Sequence, residues 1–66
     1  MKVAYEKIKT IALILGYNVE VHRITCFDFL VRQGFIIYKI TDGVWYLEFE
    51  SPQHELFFAI KYSDVL

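Results

Sequence analysis

Residues 35–50, FIIYKITDGVWYLEFE, decide the fold. Two runs rich in aromatic and β-branched residues, Phe35–Thr41 and Val44–Glu50, are separated only by Asp42 and Gly43. Asp-Gly is a strong hairpin signal, because a type I′ turn needs positive φ at both central positions. The turn sets an expected register, with Thr41 opposite Val44, Ile40 opposite Trp45, Tyr38 opposite Leu47 and Ile36 opposite Phe49. Side chains alternate across a strand. One face then carries Ile36, Tyr38, Ile40, Trp45, Leu47 and Phe49 without a charge, and is the expected core. The other carries Phe35, Ile37, Lys39, Thr41, Val44, Tyr46, Glu48 and Glu50.

Upstream, residues 2–15 follow a helical period. Ala4, Ile8, Ile11 and Leu15 share a face with Tyr5 and Ala12 beside it, Lys2, Glu6 and Lys9 lie opposite, and Gly16 supplies a left-handed terminus. Leu13 and Ile14 fall off the stripe, so this helix is expected to be covered on two sides. Asn18–His22 alternates polar and apolar, which predicts a short strand with Val19 and Val21 inward. Thr25-Cys26-Phe27-Asp28 has the form of a capping box with a shorter acid, and Gly34 follows eight residues of mixed apolar pattern; a helix is expected at 26–33, with a strand as the rival. Ser51-Pro52 pairs an N-cap serine with proline at the first helical position, predicting a helix over 52–62 with Leu56, Ala59 and Ile60 on one face, with a strand that puts Leu56, Phe58, Ile60 and Tyr62 on one side as the rival. The expected fold is therefore α+β, a single domain in the order α-β-α-β-β-α with a three-stranded, largely antiparallel sheet.

Sixty-six residues allow one core, and a chain this short hides only about 60% of the surface that its unfolded form exposes. Yet 56% of the residues are apolar and 18% aromatic, above the roughly 45–50% apolar content of ordinary globular domains. Some of these side chains must stand on the surface, where a contiguous apolar patch marks an interaction site. Single Cys26 excludes an internal disulfide, so oligomerisation or a partner is the expected supplement to the core. The longest apolar run, Ile11–Leu15, falls far short of the ~20 residues that span a bilayer. Charges at Glu6, Lys7 and Lys9 argue against a signal peptide. A soluble, cytoplasmic protein is expected. Seven basic against eight acidic residues give net charge −1, which weighs against the basic surface nucleic-acid binders use.

Four constellations of residues could carry chemistry. His22 and Cys26 have ligand-like spacing, but a structural zinc needs four ligands, and a lone cysteine is more often a small buried apolar residue. Asp28, Glu48 and Glu50 supply the carboxylates that a metal-dependent nuclease would need, without the lysine expected beside them. Phe35, Ile37, Val44 and Tyr46 on the second hairpin face fit a protein contact, or a base-stacking sheet with Lys39, Tyr38, Arg23 and Arg32. Phe57, Phe58 and Tyr62 are too many aromatics for one helix to bury in so small a core. The expected function is a non-enzymatic protein–protein interaction module, a regulator or inhibitor that also homodimerises, with Phe35, Ile37, Val44, Tyr46, Phe57, Phe58 and Tyr62 at the interface. No cofactor and no metal is expected. A nucleic-acid-binding module is the first rival, a minimal nuclease the second.

Overall fold

The computed structural model describes residues 1–66. Its elements run β1 (Lys2–Ala4), α1 (Tyr5–Ile14), α2 (Val19–His22), α3 (Cys26–Arg32), β2 (Ile36–Thr41), β3 (Val44–Glu48) and α4 (Pro52–Lys61). The strands form one antiparallel sheet in the order β1-β3-β2. The class is α+β, with helices packed against one face of the sheet. No helix is long and apolar enough to cross a membrane.

Side-chain caps explain three helix starts, two of them expected. Thr25 accepts from the Asp28 N–H at 3.1 Å and Ser51 from the His54 N–H at 3.2 Å, each satisfying a donor that the helix itself leaves free. Asn18 does the same for Glu20 at 2.9 Å. This third cap overturns the strand expected at 18–22. The segment is a single helical turn, and Val19 and Val21 face solvent at 61% and 73% exposure. Alternation over five residues cannot outweigh an Asx cap that fixes the first turn.

The third strand lies instead at residues 2–4, which the helical period had absorbed into α1. Lys2 faces Tyr46, Val3 faces Trp45 and Ala4 faces Val44. The pairing is anchored beyond Val3 by Leu47 N–H to the Met1 carbonyl at 2.9 Å, and by Tyr5 N–H to the Gly43 carbonyl at 2.8 Å. Only Val3 of this strand is buried.

The hairpin turns at Asp42-Gly43, but its faces differ from the expected ones. Gly43 has φ +77° while Asp42 stays outside the positive-φ region, so the turn is not type I′. A turn with one left-handed glycine goes with an extra residue in the ladder. Here Thr41 faces Val44 but Lys39 faces Trp45, leaving Ile40 unmatched. The slip puts Ile37 opposite Leu47 and Tyr38 opposite Tyr46. Ile37 and Leu47 are therefore core at 6% and 1% exposure, whereas Ile36, Tyr38 and Ile40 are exposed. A one-residue shift has inverted the first strand relative to the second.

The core is made by Val3, Ile37 and Leu47 from the sheet, Ile8, Ile11 and Ala12 from α1, and Cys26, Phe29 and Leu30 from α3. Phe58 and Tyr62 of α4 complete it. Phe58 sits 4.8 Å from Tyr62, 5.2 Å from Phe49 and 6.0 Å edge-on from Phe35, ring centre to ring centre.

Candidate binding surfaces

Only 11 of 66 residues are buried, while thirteen large hydrophobic side chains stand exposed. Two faces gather much of this surface. On α4, Leu56, Phe57 and Ile60 are 57%, 59% and 62% exposed. At 100° per residue these three point roughly opposite to Phe58 and Tyr62. The expected inward face of Leu56, Ala59 and Ile60 is thus rotated outward, Ala59 alone staying half-buried. The larger rings at Phe58 and Tyr62 take the inward side because Phe35 and Phe49 offer an aromatic seat, and aromatic pairs add about 0.5–1.5 kcal/mol each beyond burial.

The second face is the outer surface of the sheet. Tyr38 and Tyr46 stack across the strands at 5.3 Å, with Lys2 beyond Tyr46 in the same row. Ile36 lies next to them opposite Glu48, and Val44 is half-buried. β2 is also an edge strand, so its outer main-chain groups have no neighbouring strand. The mutual Met1–Leu47 hydrogen bonds turn the main chain of residue 47 toward β1. Alternation then turns Tyr46 and Glu48 toward β2, and leaves Ile37 and Lys39 of β2 aimed at the open edge.

Several expected site residues are elsewhere. Ile37, Phe58 and Tyr62 belong to the core and have no surface to offer a partner. Phe35 is half-buried against that core. Val44 and Tyr46 remain on the outer sheet face, half-buried, and Phe57 is fully on the surface of α4. Leu56, Ile60, Ile36 and Tyr38 are the members that the sequence reading placed inward. Their exposure follows from the bulge at Ile40 and the rotation of α4.

The chemical constellations do not assemble. No group of three or more His, Cys, Asp or Glu side chains is placed to hold a metal, so Asp28, Glu48 and Glu50 do not converge. His22 packs its ring on Tyr17 and Phe29 and meets Asn18 through Nδ1. Cys26 is buried, and its sulfur is hydrogen-bonded to the Tyr5 hydroxyl at 3.8 Å. That contact, followed by the charge of the neighbouring sulfur and by partial burial, holds the Tyr5 phenol above its ordinary value of 10.0. Lys39 is tied to Asp42 at 2.7 Å, with both groups exposed. Comparison with protein-family models, with curated proteins and with solved structures finds no match for this chain.

Proposed function

We propose that the chain is a small non-enzymatic module that binds another protein in the cytoplasm, regulating or inhibiting it, and that it self-associates through the same surface. The observation that carries this reading is the two-sided character of α4. Phe58 and Tyr62 hold the helix to the core, while Leu56, Phe57 and Ile60 stay exposed. An isolated surface helix has a polar outer face, and one apolar on both sides is suited to burial between two bodies. An exposed aromatic flanked by aliphatic neighbours on a rigid helix has the makeup of an interface anchor. The outer sheet face, with Ile36, Tyr38 and Tyr46, supplies a second contact of similar chemistry.

The test combines light scattering with affinity capture, using the full chain and a Phe57→Ser/Ile60→Ser variant. The expected result is a mass above the 7.9 kDa monomer, or one partner captured at near-equal stoichiometry, lost in the variant while the melting temperature is kept. A monomer at millimolar concentration with no captured partner overturns the proposal. Retention on heparin that collapses with salt would instead favour nucleic acid on the Tyr38–Tyr46 face.

A further inference from the structure

The broadest concavity of the molecule, about 770 Å³, lies between α1 and the segment that runs through α2 to the start of α3. Its volume falls within the roughly 300–1,000 Å³ of small-molecule sites. One wall is a single stripe of α1, Tyr5, Lys9 and Leu13 at successive i,i+4 positions. The opposite wall carries Val19 and Arg23. Leu13 and Val19 are 53% and 61% exposed, so apolar surface is open to water on both walls. The floor is closed by buried Cys26 beneath Tyr5.

The charge is one-sided. Lys9 and Arg23 line the cleft, no carboxylate does, and neither cation belongs to either of the chain's two ion pairs. Arg23 is also the only non-glycine residue with positive φ, at 56°. An arginine in the left-handed region costs on the order of 1 kcal/mol or more, and such strain collects where a side chain must be aimed at a ligand. Glycine or asparagine would end α2 there more cheaply.

We infer that this cleft binds a small organic anion, a carboxylate or phosphate monoester head on an apolar body. Arg23 and Lys9 take the head, the guanidinium by paired N–H donors to two oxygens. Leu13, Val19 and the ring of Tyr5 cover the body. The site shares no residue with the α4 stripe or the outer sheet face, so it stands or falls separately from the protein-binding proposal.

The experiment titrates the full chain with octanoate, octyl phosphate, octan-1-ol and octylamine, following heat and backbone amide shifts. Octanoate or octyl phosphate should bind one to one and shift amides near Leu13, Val19 and Arg23, with the alcohol and amine at least tenfold weaker. Lys9→Gln and Arg23→Gly should each weaken binding about fivefold or more. Arg23→Gly should melt no lower than the parent, because glycine accepts that backbone, which separates lost binding from lost folding. Equal affinity for octan-1-ol, unchanged affinity in the double variant, or amide shifts confined to α4 would overturn the inference.

Discussion

The Ile40 bulge makes a sharp prediction at two adjacent isoleucines. In a regular two-residue hairpin, Ile36 would be core and Ile37 would face out; with the bulge the roles reverse. Ile37 is 6% exposed and Ile36 51%. Ile37→Val deletes one fully buried methylene, worth about 0.8 kcal/mol of transfer, and leaves a small void, for a total of about 0.5–1.5 kcal/mol. For a domain of this size 1 kcal/mol moves the melting temperature by roughly 4–8 °C. Ile36→Val removes the same group from a half-solvated site and should cost less than about 0.5 kcal/mol, or 2–4 °C at most. The pair is measured by thermal and urea unfolding, with equal m-values required so that the differences report the folded state. A larger loss at Ile36 than at Ile37 would refute the register and the assignment of the outer face with it.

Two further outcomes follow from local features. Asn18→Ala should cost about 0.5–2 kcal/mol by removing the acceptor for the Glu20 N–H, and should leave the Thr25 cap of α3 intact; amide exchange at Glu20 reads it directly. Tyr5 binds its proton more tightly in the folded chain than in the unfolded one. Its contribution is therefore complete below pH 10 and declines as pH rises through the raised folded value. Tyr5→Phe should flatten that part of the alkaline loss seen in urea midpoints between pH 9 and 11.

The elements were most legible where one residue sets the backbone. Thr25 and Ser51 announced α3 and α4, and Gly43 announced the turn. Asn18 carried the same signal, but four further residues of clean alternation masked it. β1 was hidden for a different reason. Its three residues run directly into a helix, and their strand identity comes from β3, forty or more residues away, rather than from any local pattern. The bulge had no local mark either, since Ile40 is an ordinary strand residue and only the φ of Asp42 decides between turn types. The candidate surfaces turn on that bulge and on the rotation of α4. A surplus of apolar side chains could be counted from composition, but which ones reach solvent depended on one slipped residue and on the seat that Phe35 and Phe49 give Phe58.

The pairing of β1 with β3 also orders events in time. β2 and β3 close through a two-residue turn and can meet within microseconds. Lys2 must wait for Tyr46, its cross-strand partner. On a ribosome adding about 5–20 residues per second, that wait is roughly two to nine seconds. Throughout it Val3 has no strand beside it, and α1 has no sheet to lie on. The earliest of these three strands is thus the last to be paired, and through that interval α1 lacks the sheet it packs on.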